Sequence, residues 1–140
     1  MKRYVQEAGR AWLEQRIGGH VDCYSSAISY AEVHATFARK QREGHLSQIE
    51  FLRIRNGFER DWLEVREVAI DQEVLSPIPE LVRHTDLRGM DAIHLAAIIW
   101  LHRKFDQELQ VFTSDRRLLI AARQYGFSAT DPVEAEDKAS

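Results

Sequence analysis

This sequence of 140 residues has only one cysteine, no long apolar run and no excess of positive charge. Its single cysteine, Cys23, excludes an internal disulfide and a cysteine-rich zinc site, and it fits a reducing compartment. The longest apolar run, residues 92–101, is interrupted by His94 and has about half of the ~20 residues that a membrane span needs. Nothing after residues 1–3 resembles a signal peptide. We therefore expect a cytoplasmic protein without membrane association.

The balance of charge gives no sign of a general polyanion-binding surface. There are 19 Lys and Arg residues against 22 Asp and Glu residues, a formal net charge of -3, so any nucleic-acid site must be local. The length and the 44% hydrophobic content fit one domain with one core. Because the last residues are polar and acidic, we predict a single domain over residues 1–131 and a flexible tail over 132–140.

Short strands alternate with helices along the chain. Apolar patterning predicts strands at residues 21–28, 65–70 and 109–113. It predicts helices at residues 2–8, 10–17, 29–42, 47–63, 71–84, 90–104 and 115–124. Pro77 and Pro79 should bend or break the helix that contains them. The alternation indicates an α/β fold with a short parallel sheet that is covered by helices on both faces.

Three acidic residues lie where predicted strands give way to helices. Asp115 follows the strand at 109–113, Glu32 lies in the first turn after the first strand, and Asp91 opens the apolar helix. Because these junctions lie along one edge of a parallel sheet, the three carboxylates can converge.

Each acid also has a simpler explanation as a helix cap. The pattern Ser29-x-x-Glu32 is that of a capping box, and the same pattern at Ser47-x-x-Glu50 offers an internal comparison. The other two acids occupy positions typical of the first turn of a helix, where a carboxylate contributes about 1 kcal/mol or less.

Three segments, in this order, resemble the PIN-domain family and most closely its VapC-type toxins. They are SAISYAEV at 26–33, LRGMDAIHLA at 87–96 and VFTSDRRL at 111–118. The resemblance extends from Met1 to about Asp131. It implies a three-layer α/β/α fold and an endoribonuclease that depends on Mg²⁺ or Mn²⁺, acting as the toxin of a toxin-antitoxin pair.

Under this resemblance, Glu32, Asp91 and Asp115 match three of the four acids that the family usually has. Clustered carboxylates repel one another unless a divalent cation neutralises them, and hard oxygen ligands suit Mg²⁺ or Mn²⁺. Such a metal activates water for attack on a phosphodiester. We expect Asp91 and Asp115 to be metal ligands, and Glu32 to be a ligand or to orient metal-bound water.

Polar neighbours of these acids suggest supporting roles. Thr113 and Ser114 are second-shell candidates, although hydroxyls at a strand end are more often local caps. Arg88, Arg116 and Arg117 are candidates for holding RNA phosphates in forked geometry, although exposed arginines near helix starts are often simply solvated.

Histidine spacing argues against zinc. The six histidines show no HExxH motif and no paired-ligand spacing. His94 lies three residues after Asp91 on the apolar helix, where a hydrogen-bonded core histidine is favoured over a general base. We therefore leave His94 out of the predicted site.

The first element of the family is not apparent in the sequence. Members usually begin with an apolar strand that ends in an aspartate, in wording like LDTSAL, and continue into a helix that residues 2–7 resemble. We therefore expect the fourth acid and the first, central strand to be missing, as in an N-terminally truncated chain, unless another segment or another chain supplies the strand. A substitute acid such as Asp22 or Asp71 would then be needed.

Two classes of function remain open at this point. The first is the metal-dependent ribonuclease toxin, with an RNA substrate, a cognate antitoxin and a homodimer as expected partners. An acidic pocket is a natural receptor for an arginine of a bound peptide. The second is a catalytically impaired relative that keeps the fold and binds a partner protein, and the missing first acid is the feature that favours it.

Overall fold

A short parallel sheet and the helices between its strands make up the computed structural model, which describes residues 2–4, 22–106 and 108–134, the first of these by backbone alone. The strands are β1 (Lys2–Tyr4), β2 (Asp22–Ser26), β3 (Val65–Val68), β4 (Leu109–Phe112) and β5 (Ser128–Thr130). The helices are α1 (Ala27–Arg42), α2 (Gln48–Trp62), α3 (Gln72–Leu75), α4 (Ile78–His84), α5 (Gly89–Phe105) and α6 (Arg116–Gln124). The predicted α/β class is confirmed.

All five strands run in the same direction, so their carboxyl ends lie at the same edge of the sheet. The order is β3-β2-β1-β4-β5, and every neighbouring pair is parallel. Chain order reverses beside β1, because the chain builds outward first through β2 and β3 and then through β4 and β5. In doubly wound sheets with helices on both faces, ligands bind at such a reversal, outside the carboxyl ends of the strands.

Residues 2–4 overturn one prediction from the sequence. They form the central strand β1, where we predicted a helix and an empty position in the sheet. Lys2 lies opposite Asp22 and Leu109, and Tyr4 lies opposite Tyr24. The physical reason is that β2 and β4 each present an inner edge of backbone groups that must be hydrogen-bonded when buried, and local helix propensity does not express that demand. The predicted helix at 10–17 lies outside the described residues.

Helix α5 fills the centre of the molecule because apolar residues occur on all its sides. Its buried residues are Ala92, His94, Leu95, Ala96, Ala97, Ile98, Ile99 and Leu101. They share one core with Tyr24 of β2, Val111 of β4 and Leu118 of α6. Even this helix does not qualify as a bilayer span, and no other helix among the described residues is long and apolar enough to do so.

The helix pair α1–α2 is joined by aromatic contacts outside that core. The ring of Phe58 packs edge-on against Phe37 and His34, and Glu59 accepts a hydrogen bond from Tyr30 while its carboxylate lies 2.6 Å from the His34 ring nitrogen. No residue of α2 is buried, and Ile49 is 71% exposed. The predicted homodimer, for which these two helices could provide a surface, stays a prediction.

Three further comparisons with the sequence predictions concern the helix at 71–84, the strand β5 and the C-terminal tail. The predicted helix at 71–84 is divided into α3 and α4 at Pro77, which confirms the break. Strand β5 was not predicted, because its three residues are too few to show a periodicity. Of the predicted tail, residues 132–134 are helical with Pro132 buried, and the rest lies outside the described residues.

Replacing Arg3 by proline tests the central position of β1. Because β1 is paired on both sides, each of its backbone N–H groups faces a neighbouring strand, and proline removes one donor. We expect Arg3→Pro to lower the free energy of unfolding by about 1–3 kcal/mol relative to Arg3→Thr, which retains the N–H. Urea denaturation measures the difference. Equal stability of the two variants would contradict a central strand at residues 2–4.

Candidate active site

Asp91 and Asp115 meet at the carboxyl edge of the sheet. Asp91 is the third residue of α5, and Asp115 follows β4 as the N-cap of α6. Burial raises the pKa of Asp91 above its ordinary value, and the negative charge of Asp115 and a side-chain hydrogen bond with it raise that pKa further. The His94 imidazole and the backbone N–H of Arg88 act in the opposite direction. Two carboxylates in contact therefore favour a shared proton or a cation between them.

Asp115 is held from two sides by its own turn. Its Oδ1 accepts a hydrogen bond from the backbone N–H of Leu118 at 3.0 Å, and its backbone N–H donates to Oγ1 of Thr113 at 3.0 Å. Thr113 is completely buried, so its hydroxyl is a fixed support for Asp115. The hydroxyl of Ser114 instead donates to Asp131 at 3.1 Å. Of the two hydroxyl residues singled out in the sequence, the described contacts tie Thr113 alone to a predicted acid.

Glu32 is not a helix cap, so the simpler explanation of this residue is wrong. Helix α1 has Ser26 as its N-cap, and the Ser26 hydroxyl accepts from the backbone N–H of Ser29 at 3.2 Å. Glu32 therefore lies in the second turn, too far along to reach back to the cap. The comparison pattern does form a capping box, with Glu50 accepting from the Ser47 N–H at 3.0 Å and the Ser47 hydroxyl accepting from the Glu50 N–H at 3.1 Å.

His94 joins Glu32 to the end of β2. Its Nε2 lies 2.7 Å from Oε1 of Glu32, and its Nδ1 lies 3.2 Å from Oγ of Ser26. The His94 side chain is 4% exposed, whereas that of Glu32 is 51% exposed. The predicted hydrogen-bonded core histidine is thus observed, and one of its two partners is a predicted acid. The sequence did contain a signal that His94 lies near the acids: it follows Asp91 by three residues, a spacing that places both side chains on one face of α5.

The three candidate arginines are exposed and lie near Asp91 and Asp115 in the sequence. Arg88 is the exposed N-cap of α5 and makes no side-chain capping bond. Arg117 lies 3.4 Å from Asp86 and Arg116 lies 3.9 Å from Glu134, and all four side chains of these pairs are exposed. Exposed pairs of this kind contribute about 0–1 kcal/mol, so the guanidinium groups remain open to other anions.

Neither candidate substitute for the fourth acid has a described contact with Glu32, Asp91 or Asp115. Asp22 is the first residue of β2, at the opposite end of the strand, and forms an ion pair with Arg66 at 3.4 Å. Asp71 is the N-cap of α3 and accepts from the Val74 N–H at 3.0 Å. Its position is thus explained by capping.

Among the described residues, the three predicted acids and His94 form two pairs and not one cluster. Within the ranges that the structure describes, no group of three or more His, Cys, Asp or Glu side chains is arranged to hold a metal ion. Asp91 contacts Asp115, Glu32 contacts His94, and α5 carries one member of each pair. Two carboxylates that repel each other fit Mg²⁺, which commonly takes one or two carboxylates and completes its octahedron with water and phosphate oxygens.

The chain is similar in sequence to curated ribonucleases. It is 33% identical over 126 residues to Ribonuclease VapC45 and to Ribonuclease VapC49, both of Mycobacterium tuberculosis, with 90% of this chain and 85% of each relative covered. It is 30% identical over 124 residues to Ribonuclease VapC47 of the same organism, with 88% and 81% covered. No family model matches the sequence.

Two solved structures share the fold. FitAcB from Neisseria gonorrhoeae superposes with a TM-score of 0.63 at 19% identity, covering 94% of this chain and 98% of that one. PAE2754 from Pyrobaculum aerophilum gives a TM-score of 0.60 at 14% identity, covering 97% and 91%. At these identities the likeness shows the architecture alone, and it agrees with the observed parallel α/β fold.

The repulsion between the two aspartates predicts how stability depends on pH. Because the folded state raises the pKa of Asp91 above its ordinary 3.8, the folded protein binds this proton more tightly than the unfolded chain does. Protonation of Asp91 therefore stabilises the folded state fully below pH 3.8, and this stabilisation is lost as the pH rises through the raised pKa of Asp91. Removing the charge with Asp91→Asn should raise the free energy of unfolding at pH 7 by about 0.5–1 kcal/mol, a figure discounted for solvent screening.

Urea denaturation between pH 3 and pH 8 measures this effect. Asp71→Asn is the matched control, because asparagine caps a helix as well as aspartate does and Asp71 has no part in the pair. A less stable Asp91→Asn at pH 7, with an unchanged pH profile, would contradict the repulsion.

Proposed function

Because this chain belongs to the VapC-type ribonucleases of the PIN-domain family, we propose that it is an endoribonuclease that acts as the toxin of a toxin-antitoxin pair and depends on Mg²⁺ or Mn²⁺. The observation that carries the proposal is the contact of Asp91 with Asp115 at the reversal of strand order, an arrangement of like charges that a divalent cation stabilises.

Asp91 and Asp115 would hold the metal. When bound, it offsets the negative charge of the scissile phosphate and makes a coordinated water more acidic. The chain itself supplies rigidity, because Asp115 is fixed by its cap and by the buried Thr113 hydroxyl, and Asp91 is fixed by the buried helix α5. Glu32, half-exposed and held through one oxygen by His94, would join the metal or orient the attacking water.

Binding of RNA would rely on the arginines around the acids. Arg88, Arg116 and Arg117 are exposed, and a guanidinium group matches two phosphate oxygens at once. The ion pairs of Arg116 and Arg117 are weak enough for a phosphate to replace their carboxylate partners. A local cationic rim of this kind is consistent with a formal net charge of -3 for the whole chain.

An antitoxin protein is the expected partner of the same edge. The Asp91–Asp115 pair without metal is an acceptor for an arginine of a bound peptide, since a guanidinium group would remove the repulsion as a cation does. Such a peptide would occupy the site in place of metal and RNA. This part of the proposal follows from family membership together with the charge of the pair.

Two substitutions test the nuclease. Asp91→Asn and Asp115→Asn remove the charges, while asparagine at position 115 can still cap α6. We expect each to lower Mg²⁺-dependent cleavage of transfer RNA and ribosomal RNA fragments by about 100-fold or more, with an unchanged circular dichroism spectrum. EDTA should abolish cleavage by the parent protein.

Asp71→Asn is again the control, and it should cleave like the parent. Full activity of Asp91→Asn would remove this residue from the mechanism. A folded parent protein that binds an antitoxin but cleaves none of these RNAs with either metal would favour the interaction module over the ribonuclease.

A further inference from the structure

A chain of hydrogen bonds connects the start of α1 to Glu32 through the buried His94. The backbone N–H of Ser29 donates to Oγ of Ser26 at 3.2 Å, Oγ lies 3.2 Å from Nδ1 of His94, and Nε2 lies 2.7 Å from Oε1 of Glu32. Ser26 is 1% exposed and His94 is 3% exposed. The last member, Glu32, is at the protein surface and belongs to the proposed active site.

For a neutral His94, the hydrogen-bonding capacity of each group indicates where the protons lie along this chain. An ionised carboxylate only accepts hydrogen bonds, so Nε2 of His94 must carry the proton that faces Glu32. In the neutral imidazole, Nδ1 is then an acceptor and takes the hydroxyl proton of Ser26. The Ser26 oxygen accepts from the Ser29 N–H, and its distance of 3.2 Å to Nδ1 is shorter than its 3.5 Å to Oγ of Ser29, so Nδ1 is the favoured acceptor of the hydroxyl proton. The tautomer is inferred from these partners, as tautomers of histidine generally are.

We propose that Ser26 and His94 are positioning residues that set the orientation of Glu32. The N-cap of α1 selects the tautomer of His94, and that tautomer binds one oxygen of the Glu32 carboxylate. The other oxygen is thereby directed to the solvent side, where the metal, its water or the phosphate would lie. The role in catalysis rests on the proposed ribonuclease function, whereas the tautomer itself does not.

Burial explains why a histidine is suited to this position. A flexible, half-exposed glutamate populates several rotamers, and a hydrogen bond from a rigid buried ring reduces that number. Turning the ring over would place Cε1–H against the carboxylate and Cδ2–H against Ser26, so both hydrogen bonds would be lost. Mutation of a residue that hydrogen-bonds to a metal ligand typically lowers activity or metal affinity by about 10–100-fold.

Nitrogen NMR of histidine-labelled protein tests the tautomer directly. We expect the His94 ring to carry its proton on Nε2, with a slowly exchanging Nε2–H signal. Ser26→Ala should accelerate exchange of that proton and weaken the preference for one tautomer, and Ser26→Thr should restore both. Ser47→Ala is the matched control, since it removes the cap of α2 without touching a histidine. A parent spectrum with the proton on Nδ1, or an unchanged spectrum in Ser26→Ala, overturns the proposal.

Cleavage kinetics test the effect on Glu32. His94→Gln retains an N–H donor near the place of Nε2, and His94→Leu retains the volume without the donor. We expect His94→Leu to lower kcat by about 10–100-fold with little change in KM, and His94→Gln to recover most of the loss. In a Glu32→Gln background, His94→Leu should cause little further loss, because the partner is already changed.

The two proposals fail in different ways. Equal kcat values for the parent and for His94→Leu overturn the positioning role while leaving the nuclease intact. Additive losses in the Glu32→Gln background overturn it as well. If the parent protein cleaves no RNA, the proposed function fails, and the NMR experiment alone decides whether the cap of α1 sets the tautomer.

Discussion

The burial of α5 is the constraint on which the site depends. Two aspartates in contact repel each other, so Asp91 and Asp115 stay together only because the rest of the fold leaves them no alternative. Helix α5 provides that restraint, since its apolar residues are buried on all sides and prevent the helix from sliding or turning. Its first turn is therefore presented at the sheet edge in one orientation. A site that gathers like charges needs a core of this kind behind it.

The parallel sheet determines where the residues that follow β2 and β4 lie. Because all neighbouring strands are parallel, the residues that follow β2 and β4 emerge at the same edge, and α5 reaches that edge from the core. Strand β1 separates β2 from β4, so the ends of these two strands lie two inter-strand spacings apart, about 10 Å. The central strand thus matters for the site through its backbone, which sets how far apart these two strand ends lie.

Local patterns in the sequence predicted much of this arrangement, and the errors occur where a distant partner decides. The parallel α/β class, the broken helix at Pro77 and the placement of Asp91 and Asp115 at helix starts all follow from short windows of sequence. The start of α1 does not, because Ser26 is buried against His94, a contact 68 positions away, and no local pattern separates it from Ser29 as the cap. Strand β1 was misjudged for the same reason.

The same residue can therefore cap a helix and take part in the proposed site. Asp115 caps α6 with one oxygen and contacts Asp91, and Ser26 caps α1 while it holds the ring of His94. In both cases the bond that fixes the helix start also fixes a side chain of the proposed site. Glu50 of the α2 capping box shows the contrast, since the described hydrogen bond of its carboxylate is to the turn that it closes. Joining helix starts to the site makes its geometry as stable as the helices themselves, which is what a reaction sensitive to small displacements requires.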